Sequence, residues 1–246
     1  MNLNLKEIFQ IKWKKYFKNA ELPITFYYSD QTGGALAGLK ARGHACIIAE
    51  LKKVRNGRSI YYNEDSLGCA GAKRYIGFSN EVRPGFEYFL SCGNSKIEGE
   101  RYIKSPKLVK EFLKHHQDAE IKKKHIVFKR WDKLNESDHP EVIIFFARPD
   151  IISALFTLAN FDQSEPNSTI TPFGAGCSSI IHYPYLEIAN KRQRAVIGMF
   201  DISARPYVEE NLLTFAVPFK KFKEMVSNMD ESFLITHSWE LVKKRM

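Results

Sequence analysis

PEVIIFFARPDIISALFTLANF, residues 140–161, sets the architecture. Residues 140–150 read as the clearest strand in the chain, an apolar run rich in β-branched and aromatic side chains. Residues 151–161 read as the helix that follows. Working outward, further strands are expected at 22–30 (LPITFYYSD), where Asp30 and the glycines of QTGGALAG end the run, at 58–63, at 194–201 and at 212–218. Helices are expected at 3–19, where Leu3, Leu5, Ile8, Ile11 and Phe17 recur mostly three to six apart, and at 44–57, stopped by Asn56-Gly57. Another starts within SLGCAGAKRYIG (66–77). One spans 105–119, with Ser105 as cap and Pro106 at the first position, and one spans 219–229. FEYFLSCG at 86–93 is strand-like in composition and also fits the last turn of a helix. Strands and helices interleave without a regular βα repeat. The expectation is an α+β fold with a mixed or mainly antiparallel sheet and flanking helices. Residues 1–246 form a single domain on this reading, with the lysine-rich 115–139 region as its only plausible seam.

The chain has 246 residues, 44% of them hydrophobic and 26% charged, enough to bury a core without disulfide staples. No apolar run approaches the ~20 residues that span a bilayer. The N-terminus threads lysines through an amphipathic pattern and lacks a small-residue cleavage site, so a cytoplasmic location without membrane contact is expected. The net charge of +9 raises the question of nucleic acid. Its densest runs, 12–15, 122–125 and the terminal KKRM, are scattered and match no binding signature, so no nucleic-acid partner is expected.

The four cysteines are Cys46, Cys69, Cys92 and Cys177, with no C-x-x-C pair among them. In a reducing compartment they are inert buried thiols or chemically active ones. Cys46, in the apolar HACIIAEL, reads as a core thiol, and His44 beside it is not a helical neighbour. Cys92 lies at an element's end. Cys69 (in LGCAGAKRYIGF, 67–78) and Cys177 (in TPFGAGCSSIIHYPYLEIA, 171–189) follow glycine-rich turns where helices begin. Free N–H groups and the positive end of a helix dipole there favour a thiolate or an anionic ligand. Both thiols are therefore expected to converge and to have lowered pKa values. Gly68, Gly71, Gly174, Gly176 and Ser178 would approach the anion, with Lys73, Arg74 and Arg205 adding charge. His182 lies about 500° beyond Cys177 on an α-helix, some 140° away, and reads as a packed or surface histidine. Asp201 and Arg205 fall in the turn after the 194–201 strand. Glu98, Glu100, Arg101 and Lys104 read as an exposed charged run.

LGCAGAKRYIGF, GERYIKSPKLV, FARPDIISALFTLANF, ITPFGAGCSSII, AVIGMFDISARP, LTFAVPFKKF and SFLITHSWELVKKR occur in this order across residues 67–245. With these blocks the chain resembles the prokaryotic domain-of-unknown-function family 169. The resemblance implies a single-domain cytoplasmic protein with Cys69 and Cys177 inside recognisable blocks, and it carries no catalytic assignment.

Three functions stay open. The first is binding of a small anionic metabolite at the turns 67–78 and 171–182. A catalytic version would use Cys69 or Cys177 as nucleophile, with no general base evident from spacing. The second is a zinc or iron–sulfur site using Cys69, Cys177 and Cys46. The third is a non-catalytic interaction protein, a homo-oligomer whose cysteines only pack.

Overall fold

The apolar run at 142–147 buries all six residues, because alternate side chains leave opposite faces of a strand. Val142, Ile144 and Phe146 enter one hydrophobic core, while Ile143, Phe145 and Ala147 enter another. A strand buried on both faces demands covering layers on both sides. The computed structural model describes residues 3–38 and 45–246 and supplies them.

In chain order the first half holds α1 (Leu3–Phe17), β1 (Ile24–Ser29), β2 (Leu36–Ala37), α2 (Ile47–Arg55), β3 (Ile60–Tyr62), α3 (Ala70–Ile76), α4 (Phe86–Phe89) and α5 (Pro106–Lys114). The second half holds β4 (His125–Arg130), β5 (Val142–Ala147), α6 (Pro149–Asn160), β6 (Thr169–Ile170), α7 (Tyr183–Leu186), β7 (Ala195–Gly198), β8 (Leu213–Pro218), α8 (Phe219–Asn228) and α9 (His237–Lys243). The strands form one mixed sheet in the order β2-β3-β4-β1-β5-β8-β7-β6. The two edge pairs, β2–β3 and β6–β7, are parallel, and the inner pairs are antiparallel. The fold is α+β, as the irregular interleaving of elements implied. β4, from the lysine-rich 115–139 stretch, sits inside the sheet between β3 and β1. No helix among the described residues is long and apolar enough to cross a membrane.

One face of the sheet is covered by α1, α6, α8 and α9, whose aromatics interlock with β5. The Phe9 ring meets Trp131 and Phe222, and Phe145 contacts Trp13 and Phe222. The other face is covered by α2, α3 and the helical segment leading into α7. The short edge strands β2 and β6 and helix α9 were not expected from the sequence. Within the ambiguous 86–93 stretch, residues 86–89 are helical, as α4. Of the helix expected at 44–57, His44 lies outside the described residues. The helix expected at 105–119 ends at Lys114, and its Ser105 hydroxyl accepts the Leu108 N–H at 3.3 Å, as expected of a cap.

This layering predicts that Phe145→Ala destabilises the protein by about 3–5 kcal/mol in urea unfolding. Ile11→Ala on the exposed face of α1 should stay within about 0.5 kcal/mol of the parent. Equal effects would refute the assignment of the core.

Candidate functional site

A parallel pair such as β6–β7 cannot be joined by a hairpin and needs a crossover, usually a helix. That crossover is the helical run 176–189, and it positions the site. Its start must lie just beyond the end of β6, beside the end of β7. Such crevices outside the carboxyl ends of parallel strands are where open sheets bind ligands.

The run opens on Gly176, whose N–H donates to Asp201 Oδ2 at 2.8 Å. Asp201 Oδ1 accepts from the Ser203 N–H and hydroxyl at 2.9 and 2.8 Å. The carboxylate thus occupies the helix start that the sequence suggested was free for an external anion. A Cβ at Gly176 would press on Ala204 at 2.8 Å and on the Met199 sulfur at 3.3 Å, so glycine is needed for this approach. The next turn, Ser178–His182, is a π-turn in which the Tyr183 N–H donates to the Ser178 carbonyl. In this winding, residues five apart lie nearer one face than in an α-helix. The 140° separation expected for Cys177 and His182 therefore does not hold.

Next to this helix start is a cleft of about 240 Å³. Residues 171–174 and 198–200 line it together with Ser179, and none of them carries a charge. Ser179 supports it: its hydroxyl donates to the Gly176 carbonyl at 2.8 Å and accepts the Met199 N–H at 3.3 Å. A Cβ at Gly198 would overlap the Ser179 side chain. Met199 is in the left-handed region, φ +70°, a conformation that costs a non-glycine residue of the order of 1–3 kcal/mol. Phe173 and Phe200, beside the opening, are 61% and 57% exposed.

Cys46, Cys69 and Cys177 all belong to or pack against the core on this face of the sheet. Cys46 is not in mid-helix, as HACIIAEL suggested, but is the cap residue of α2. Burial raises its thiol pKa, and the N–H groups of Ile48 and Ala49 partly offset this. Cys69 caps α3, and its sulfur accepts the Ala72 N–H at 3.4 Å. Cys177 is buried, and its pKa is pushed well above that of an ordinary thiol. Burial is the main cause, and the neighbouring Cys69, Cys46 and Asp201 add to it. The lowered pKa expected for Cys177 is thus overturned, because desolvation dominates and Asp201 already takes the first N–H. Cys92 is exposed in the loop after α4.

The cations named from sequence are mostly engaged elsewhere. Arg74 donates to the Asn80 carbonyl at 2.6 Å and to Asp118 at 2.8 Å. Arg205 donates to the carbonyls of Leu212 and Glu210 at 2.5 and 2.6 Å, and its guanidinium does not pair with Asp201. Lys73 is half-buried in α3, and Gly68 is exposed. A Cβ at Gly71 would make only ordinary contact with the Cys69 sulfur, so nothing there requires glycine. Gly174 lines the cleft, and the buried Ser178 hydroxyl donates to the Ala175 carbonyl at 2.7 Å.

The sequence did not signal a second buried feature of the same helix. His182 stacks on His116, centroids 4.4 Å apart and planes 17° from parallel, with Tyr75 edge-on to both rings. The His182 side chain is buried, and neither of its ring nitrogens closes a hydrogen bond. Burial, then His116, pulls its pKa down to about 4, while the Gln117 backbone and Asp118 oppose this and Arg74 adds to it. The pKa of His116 is lowered by burial and by Arg74.

Two outcomes follow. The unfolded chain takes up protons at these histidines from about pH 6.5, whereas folded His182 resists until about 4. Stability should therefore fall as the pH drops through this window, by up to about 3 kcal/mol, and this contribution should level off below it. Urea midpoints at pH 7, 6 and 5 will show the slope, and it should flatten in His182→Gln. A slope unchanged in that variant would remove the histidine pair as its source. Mild alkylation of folded, metal-free protein, mapped by peptide mass spectrometry, should label Cys92 first and Cys177 last. Early labelling of Cys177 would contradict its burial.

Comparison with curated proteins and with solved structures returned no match. The profile of the family described as Uncharacterised ArCR, domain of unknown function 169, matches residues 14–228, which span every strand and the whole of the site. The chain belongs to this uncharacterised family.

Proposed function

We propose that the protein binds a small metabolite in the cleft at the carboxyl ends of β6 and β7. The ligand would have an apolar or aromatic body and a carboxylate or carbonyl group. The observation that carries this reading is the cleft itself, held open by the Gly198–Ser179 approach and the left-handed Met199. Phe173 and Phe200 offer apolar walls. Among the described residues, the backbone N–H groups of Gly174 and Phe200, which line the cleft, donate to no protein acceptor. They supply donors for the polar end of a ligand. With Arg74 and Arg205 engaged elsewhere, recognition of an anion would rest on backbone N–H groups.

A thermal-shift screen of small aromatic and branched-chain carboxylates and ketones tests the reading. A true ligand at 100-fold its Kd adds about 2.7 kcal/mol, which raises Tm by roughly 5–11 °C for a chain of this size. Phe173→Ala and Phe200→Ala, both at exposed positions, should each weaken that ligand about tenfold or more while leaving the apo Tm unchanged. If no compound gives a saturable shift, or if the double variant binds as tightly as the parent, the cleft is not the binding site.

A further inference from the structure

Helices α4 and α5 form a peripheral layer that the sheet barely holds. α4 has no buried residue, α5 buries only Val109, and α5 packs chiefly on α4. Elements with so little buried apolar contact open more readily than the core. Two contacts of this layer bear on the proposed binding cleft. Phe112 of α5 stands edge-on to Phe173 of the cleft wall, with ring centroids 5.9 Å apart. One helical turn later, His116 stacks on His182 of the crossover helix. The residue after His182, Tyr183, donates its hydroxyl to the Phe173 carbonyl at 3.4 Å. Phe173 is thus supported by a near neighbour of each histidine.

The stack suits neutral rings. The His116 side chain is 4% exposed and His182 1%. Both ring nitrogens of His182 and Nε2 of His116 are buried without a hydrogen bond. A proton on either ring introduces a buried charge, and a proton on each places like charges side by side at the 4.4 Å stacking distance. The groups facing the pair do not offset this. From α3 come the Arg74 guanidinium, which opposes protonation, and Tyr75, and from the crossover helix comes Tyr183. The facing carboxylate, Asp118, lies 3.8 Å from His116 Nε2 but already accepts a 2.8 Å hydrogen bond from Arg74.

We propose that α4, α5 and the turn to Asp118 form an arm latched against one wall of the cleft by the His116–His182 stack, and that protonation of the pair releases the arm and withdraws the support of Phe173. Proton uptake favours the released arm, whose histidines titrate in water. The latch is therefore closed above about pH 6.5 and weakens as the pH falls toward about 4. Weaker ligand binding in acid, the consequence for function, rests on the cleft being the binding site. The release itself does not, and it is measured without any ligand.

Hydrogen exchange of the full chain, read by peptide mass spectrometry and corrected for its intrinsic pH dependence, measures the latch. At pH 7 the amides of 107–118 should already be less protected than those of 142–147, as a separately opening arm requires. Between pH 7 and pH 5 their protection should fall about 20-fold, the ratio for a histidine that titrates at about 6.5 when free and about 4 when latched. His182→Gln and His182→Phe should each lose most of that fall. Histidine proton NMR of the parent protein is free of substitution, and His116 and His182 should take up protons over the pH range in which the arm loses protection. Iodide quenching of Phe173→Trp reads access to the cleft wall, since the native tryptophans are buried. Quenching should rise from pH 7 to pH 5, and adding Phe112→Ala should give the higher value at both. Arm amides as protected as those of 142–147, protection indifferent to pH, a fall retained in both His182 variants, or unchanged quenching at position 173 would each overturn the proposal.

Discussion

The parallel pairing of β6 with β7 is the constraint on which the site depends. Two parallel neighbours force the chain to leave the end of one strand and return to the start of the other. The helical run 176–189 is that return, and it must begin beside the carboxyl end of β7. Gly198 and Ser179 set how closely the returning helix lies on the strand, because any side chain at 198 would fill the space that Ser179 occupies. From that contact follow the left-handed turn at Met199, the cleft, and the Asp201 carboxylate held against the helix start. Antiparallel pairing at this edge would have allowed a short hairpin and no crevice.

The same helix carries an unusual polar load into the interior. Ser178, Ser179, His182 and Glu187 are all buried. Each of the serine hydroxyls returns its proton to a carbonyl three residues back, which satisfies it without outside help. Glu187 is paired with Arg194, whose guanidinium contacts it at 2.5 Å. His182 has no such solution. Stacked on His116 and enclosed by Tyr75 and Tyr183, it is held neutral by its surroundings. The π-turn that places it there costs regular hydrogen bonding, and such turns occur frequently at functional sites.

Most of the fold was legible in the sequence because its signals are local. The run 142–147, the strand within 22–30, and the helix starts at Ser105 and Cys69 are each decided within a few residues. The two-residue edge strands β2 and β6 carry no periodicity, so only the finished sheet reveals them. The site was half legible. The glycine-rich turns marked the helix starts, and one of the two turns lines the cleft. The buried Lys129–Asp138 pair, joined by the Tyr27 hydroxyl, gave no signal, since lysine in a strand ordinarily reads as a solvent-facing residue. The His116–His182 stack was equally hidden, because its partners come from different segments and a π-turn breaks the α-helical angle between Cys177 and His182.

The cysteines show which physical effect decides a thiol's behaviour at a helix start. A dipole end supplies about 0.3–1 kcal/mol of preference for a negative charge, and somewhat more in partly buried sites. Full burial can displace a pKa by up to 3–5 units, equivalent to several kcal/mol against the charged form. At Cys177 both act on one sulfur and burial prevails, with Asp201 already occupying the first free N–H. Cys69 is less buried, and its sulfur accepts the Ala72 N–H directly. A helix-opening cysteine is therefore not an activated nucleophile by position alone. Only a partner that compensates the buried charge makes an anionic sulfur favourable at 177.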